Sequence, residues 1–188
     1  MNDVIRAILE RRSVRKFKPD PIADADRDLI VKAGLHAPSA KNMQGWHVTV
    51  VQNREVIDRI TEETKAALIR AKVEKYLAMA NSPNYSVNFK TGPVFMIVSA
   101  DPGVATCPAE DCSLVLGNMF LAAHSLGIGS CWINQLCPVT DEPAFRAFIT
   151  TLGVPENCKI HGCAVFGYNA GEHPKAPPRK EGTVNIIE

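Results

Sequence analysis

Three things are scarce in this chain of 188 residues, and each scarcity removes a class of function. Net charge is the first: 21 Lys and Arg against 20 Asp and Glu leave a formal +1. No global positive field exists to hold nucleic acid or an acidic membrane, so any anion bound is small and locally held. Long apolar runs are the second. None approaches the roughly 18 residues that span a bilayer, and the N-terminus "MNDVIRAILE" starts polar instead of carrying the apolar region of a signal. The expectation is a soluble cytoplasmic protein with neither nucleic acid nor membrane as partner. Cysteine is the third. Cys107, Cys112, Cys131, Cys137, Cys158 and Cys163 are too sparse for a disulfide scaffold and form no C-x2-C knuckle. Two pairs share a C-x4-C spacing, yet residues five apart diverge on a helix and lie on opposite faces of a strand. They read as small, buried, reduced residues, with no metal site.

Catalytic signatures are missing too. There is no G-x-S-x-G elbow, no G-x-x-x-x-G-K-[ST] phosphate loop and no G-x-G-x-x-G after a strand. No paired-carboxylate spacing marks a loop. His124 and His161 fall in apolar segments and read as satisfied structural histidines.

What is present is a globular composition, 46% apolar and 22% charged, which fits one domain over residues 1–188. Asn2 or Asp3 can cap a first helix with the apolar stripe Val4, Ile5, Ile8 and Leu9. Asp24 can cap a second, which Pro38 forbids from continuing. "APSAKNMQG" reads as a loop and "WHVTVVQN" as a strand; residues 54–80 keep helical spacing throughout. "VFMIVSAD" predicts a strand buried on both faces. The segment from Pro108 to Gly127 predicts a central helix, apolar nearly all round, with Gly127 as its stop. A strand, a helix and a last strand, "KIHGCAVFGY", follow. About five helices and four strands predict a mixed α/β or α+β sandwich. Residues 169–188 are rich in Pro and Gly, have no buried face of their own, and read as a C-terminal arm that packs on a second subunit.

Five cations, Arg11, Arg12, Arg15, Lys16 and Lys18, fall within eight positions at the end of the first helix. A solvated turn is one explanation and an anion site the other. Further polar segments sit at element ends: "PSAKNMQGW", "NFK" and "PPRK". Arg, Lys, Ser, Asn and Gln bind anions and heterocycles but are weak nucleophiles and bases unaided. Such an inventory suits a protein whose cofactor carries the reaction. Arg offers bidentate contacts to phosphate, Ser a hydroxyl, and Asn or Gln a match for a ring with donors and acceptors. Together they describe a flavin mononucleotide (FMN) site, although separate surface loops would show the same residue types.

The segments "RRSVRKF", "APSAKNMQGWHVTVV", "LGNMFLAAHSLGIGSCWI" and "VFGYNAGEHPKAPPRK", in this order and spacing, resemble the markers of the nitroreductase-like family of flavoproteins. The resemblance covers about residues 4 to 186. It implies an α+β nitroreductase-like sandwich, a central mostly antiparallel sheet flanked by helices, in an intertwined homodimer with FMN at the subunit interface. By position, Arg11, Arg12, Ser13 and Arg15 would contact the phosphate, ribityl chain and pyrimidine end. Pro38, Ser39, Asn42 and Gln44 would come from the other subunit. Asn88 and Lys90 would face the ring; Trp132, Ile133 and Asn134, with Gln135, would bring backbone toward N5. Arg179, helped by Lys180, would return to the phosphate.

The activity implied is hydride transfer from NADH or NADPH to FMN N5, then ping-pong reduction of a small-molecule acceptor such as a nitroaromatic or quinone, with no catalytic side chain. A non-catalytic flavin-binding storage or redox-sensing protein is the alternative, and a redox role for Cys131 or Cys137 a third reading. Two departures stand out. Gly45 lies between Gln44 and Trp46 where the family commonly has proline, which predicts a more mobile loop. Asn134 and Gln135 replace the usual glycine or acidic residues.

Overall fold

The computed structural model describes residues 1–188. Helix α1 (Asp3–Glu10) starts at Asn2, whose Oδ1 accepts the Ile5 N–H at 3.0 Å. Its apolar stripe is not buried: Val4, Ile5, Ile8 and Leu9 are 65%, 45%, 49% and 55% exposed. In α2 (Asp24–Leu35) the capping position belongs to Ala23, correcting the expectation for Asp24. Asp24 sits in the first turn instead and pairs with Arg27 at 2.6 Å, where its charge also suits the helix dipole.

After β1 (Trp46–Val51) the long periodic segment forms two helices, α3 (Arg54–Arg70) and α4 (Glu74–Ala80), not one. Lys72 takes a left-handed φ of 50°, and the Val73 N–H closes back on the Leu68 carbonyl at 3.1 Å. This is a helix-ending turn usually signalled by glycine, and a lysine gives no such signal. There follow β2 (Val94–Ala100), α5 (Pro108–Ser125), β3 (Gly129–Ile133), α6 (Pro143–Thr151) and β4 (Lys159–Gly167). Gly127, at φ 72°, ends α5 as expected.

The four strands form one antiparallel sheet in the order β1-β2-β4-β3. Alternation along β2 sends Phe95 and Ile97 to a layer built with α3, α4 and α6, and Met96 and Val98 to a layer built with α2 and α5. Each such side chain, fully buried, contributes about 1.5–3 kcal/mol. All seven residues of β2 are buried, as its unbroken apolar run predicts. The second long helix differs from expectation: α5 buries Cys112, Val115, Leu116, Met119 and Ala123, while Leu114 is 46% exposed. No helix is long and apolar enough to cross a membrane.

Beyond the edge strand β3, residues 13–17 run as a partial fifth strand. Ser13 bridges Ser130 in parallel, the Val14 N–H donates to the Ser130 carbonyl at 2.9 Å, and Phe17 bridges Asn169. Gly129 permits this approach, because a Cβ there would stand 2.8 Å from a Val14 methyl. The cation-rich segment is thereby pinned to one sheet edge.

Candidate functional site

The cations of the first motif are spread along that edge. Arg11 stacks over the Phe120 ring of α5 at 5.8 Å. Burial foremost, then Arg12 and, from the C-terminal arm, Arg179 push the Arg11 guanidinium below its ordinary pKa. Arg12 donates to the Arg11 carbonyl at 2.6 Å, and its Nε is buried with no partner. Arg15 lies at the other end of the motif, where it shares a cavity of about 380 Å³ with Tyr85, Phe89, Cys131, Trp132 and Gln135. Lys180 is exposed, and its carbonyl accepts from the Thr183 hydroxyl.

The pairing of arginines separates this site from the rest of the surface. Arg6, Arg27, Arg54, Arg59, Arg70 and Arg146 each have a carboxylate partner within 4 Å. Arg11, Arg12, Arg15 and Arg179 have none. Arg11 and Arg12 are half-buried and Arg15 and Arg179 exposed, and guanidiniums left without a carboxylate favour an external anion with bidentate acceptors.

The loop of Pro38, Ser39, Asn42 and Gln44 is elsewhere. Ser39 Oγ accepts the Gln44 N–H, and Gln44 Nε2 donates to Asn42 Oδ1, both at 3.0 Å. Lys41, Asn42 and Gln44 all adopt left-handed φ, and the loop is tied to the first turn of α5 through Ala40 and Asp111. Gly45 is fixed on both sides: its carbonyl accepts from the Asp101 N–H at 3.1 Å, and a Cβ would meet the Ala105 backbone N at 2.9 Å. Glycine here answers a close approach, which corrects the expectation of a freer loop.

Register places this loop at the corner of the sheet diagonally opposite the first motif. Trp46 pairs with Ala100 at one end of β2, whereas Ser130 pairs with Phe166, which pairs with Val94 at the other end. Six residues along a strand are about 20 Å, and three strand spacings about 14 Å. The span of α5 agrees: Ala40 is held at Asp111 and Arg11 rests on Phe120, nine residues and about 14 Å apart along the axis. One chain does not bring these motifs together.

Trp132 packs edge-on against Phe120 at 6.3 Å. Ile133 is core, 2% exposed as a whole residue, and pairs with Cys163 of β4. Asn134 Nδ2 donates to the Tyr76 hydroxyl at 3.1 Å, and its backbone N–H donates to Gln135 Oε1 at 3.1 Å. Asn88 is 1% exposed and its amide is used within the chain: Oδ1 accepts from Ser86 Oγ at 2.7 Å and from the Lys90 N–H at 3.2 Å, and Nδ2 donates to the Gly92 carbonyl at 3.3 Å. Lys90 is exposed, at φ 70°, with Nζ on Asn84 Oδ1.

The cysteines are all free thiols. Burial pushes Cys131 up, against the pull of Arg15, the Ser13 hydroxyl and Arg11; burial takes Cys137 up to about 11. No three His, Cys, Asp or Glu side chains come together as a metal would require. The reading as a satisfied group fails for His161. His161 is the extra residue of a bulge between β2 and β4, with its Nε2 buried and unpartnered. His124 stacks on His173, a residue of the arm, with ring centres 5.9 Å apart. Sequence spacing carries no signal for that pair, since the arm delivers His173 from outside any regular element.

The family model for the nitroreductase family matches residues 8–168. A crystal structure of a nitroreductase with bound FMN from Bacteroides fragilis is 39% identical, with a TM-score of 0.94 and 100% of both chains covered. A second, from Desulfitobacterium hafniense and also with bound FMN, is 25% identical, with a TM-score of 0.84 and 100% of both chains covered. An NADPH-flavin oxidoreductase of Vibrio harveyi is 27% identical over 202 residues, covering 100% of this chain and 74% of that protein. The chain belongs to the nitroreductase family.

Proposed function

We propose that this protein is an FMN-dependent oxidoreductase of the nitroreductase type, with NADH or NADPH as donor. The observation that carries this reading is the split among the arginines: Arg11, Arg12, Arg15 and Arg179 alone lack carboxylates. With the orphaned Arg12 Nε, they fit a ligand that brings its own phosphate. FMN, when bound, would supply two-electron chemistry between the nicotinamide donor and a planar acceptor such as a nitroaromatic or quinone.

The chain's own part is positioning, electrostatics and exclusion of water. Arg11, Arg12 and Arg179, with Lys180 nearby, hold the phosphate. Ser13 and Arg15 follow along β3 toward the ring, where a cation favours the electron-rich reduced form. Trp132, Ile133 and Asn134 line the ring's edge, Ile133 through its backbone. Lys90 reaches in from a loop whose shape Asn88 fixes. Pro38, Ser39, Asn42 and Gln44 are supplied by a second copy, a reading that their place at the far corner of the sheet supports. The exposed stripe of α1 and the end of the arm, where Val184, Ile186 and Ile187 are 76%, 81% and 96% exposed, pack in that homodimer, while the start of the arm lies on its own chain through Asn169 and His173. Free thiols agree with a cytoplasmic setting for this single domain.

The test is the visible spectrum of the purified protein, followed by NADH or NADPH without oxygen. A yellow protein that bleaches and recovers its colour with a quinone bears the reading out. A colourless protein that takes up no added FMN overturns it.

A further inference from the structure

Behind Arg11 and Arg12, at the C-terminal end of α5, lies a cavity of about 140 Å³ lined by these arginines, His124, Ser130, Asn169 and His173. It is larger than the about 30 Å³ of one water and far below the about 300–1,000 Å³ of a cleft for a whole small molecule. Its walls suit a compact anionic group, and no carboxylate lines it.

His173 is held in place by its Nε2, which meets the Glu10 carbonyl at 2.9 Å, and by its stack on His124. The groups facing His124 are Glu10 from the end of α1, Arg11 and Arg12 from the motif, and His173 from the arm. Lys175 lines the adjoining cavity of about 470 Å³, which Arg12, His124 and His173 share. Burial and then His173 push His124 below its ordinary value, Arg11 and Arg12 add to this, and Glu10 alone opposes. Without an anion, then, the cluster holds His124 neutral near pH 7. A dianion in the cavity reverses the balance.

We propose that the His124–His173 pair belongs to the phosphate site of the flavin, and that His124 takes up one proton from solvent when the phosphate enters. This rests on the reading of the protein as an FMN enzyme. Arg11, Arg12 and Arg179 then supply the fixed charge, and His124 supplies a charge that exists only with the ligand. His173 is a positioning residue: through the Glu10 carbonyl and its stack on His124 it fastens the arm over the cavity.

The experiment is calorimetric titration of flavin-stripped protein with FMN and with riboflavin at pH 7.0–8.5, in two buffers of different ionisation enthalpy. The phosphate's own second pKa of about 6 lies below this window. Net proton uptake is expected with FMN and absent with riboflavin. FMN affinity should fall with rising pH by up to tenfold per unit, the limit for one linked proton. His124→Asn should abolish both effects while still binding FMN, and His173→Gln, which loosens the arm, should keep the uptake and weaken FMN. Should His124→Asn fail to fold, the His124 ring proton signal of the wild-type protein, titrated with and without FMN, gives the same answer. FMN binding without proton uptake, or with uptake unchanged in His124→Asn, overturns the inference and leaves the flavin reading intact. No binding of FMN at any pH removes both.

Discussion

Asp111 Oδ1 accepts the backbone N–H of Ala40 at 3.1 Å, joining the first turn of α5 to the loop of Ser39, Asn42 and Gln44. Its other oxygen, Oδ2, is buried without a partner, so one carboxylate carries both an anchor and an unmet need. Asp111→Ala should lower stability by about 1–3 kcal/mol, the worth of a hydrogen bond from the half-buried Ala40 N–H to a carboxylate. At about 2–4 °C per kcal/mol for a chain of this size, the melting temperature should drop by several degrees. FMN content should fall with it, because the loop that Ala40 starts loses its anchor. Unchanged melting and full flavin would remove the anchoring role.

Arg11→Ala should weaken FMN by about tenfold to a hundredfold, from about 1.5–3 kcal/mol for a charge-assisted hydrogen bond, and leave riboflavin affinity unchanged. Flavin fluorescence quenching reads both. Equal losses for the two flavins would place Arg11 away from the phosphate.

Replacing Ile8 and Leu9 of α1 together by Glu should convert the proposed dimer to monomer, since these residues are 49% and 55% exposed in the single chain. Light scattering coupled to absorbance at the flavin band would follow mass and cofactor together. A monomer that stays yellow would mean that one chain suffices.

Acid stability has a definite direction. Glu142, hydrogen-bonded by Arg70, and Asp141, hydrogen-bonded by Lys159, both have carboxyls held below their ordinary values. A depressed folded pKa contributes stability that is present above the unfolded value and lost as pH falls through the folded one. Loss should therefore set in below about pH 4. Glu142→Gln should flatten that limb of the urea-midpoint profile and leave the region above pH 6 level.

Cys131→Ser should keep FMN and turnover, since burial leaves this thiol protonated near neutral pH. Loss of turnover with flavin retained would revive the redox reading of Cys131.

Legibility in the sequence followed the range of the interactions. β2 is evident in "VFMIVSA" because burial on both faces demands an unbroken apolar run. The break between α3 and α4 is hidden because Lys72, with no mark of its own, adopts the turn. In the site, the cations of the first motif are visible as a cluster, but their isolation is not. That isolation appears only once distant partners such as Arg70 and Glu142 have met and the remaining arginines are left over. The His124–His173 stack and the tie from Asp111 to Ala40 join segments far apart in the chain, which no local pattern announces.

The diagonal placement of Arg11 and Gln44 has a consequence for inheritance. Each pocket of the proposed dimer takes its arginines from one chain and its loop from the other. A chain spoiled at Arg11 and a chain spoiled at Gln44, each inactive alone, would form a mixed pair in which one pocket collects both faults and the other collects neither. Two defective copies of the gene, expressed together, would then restore activity that neither supports by itself.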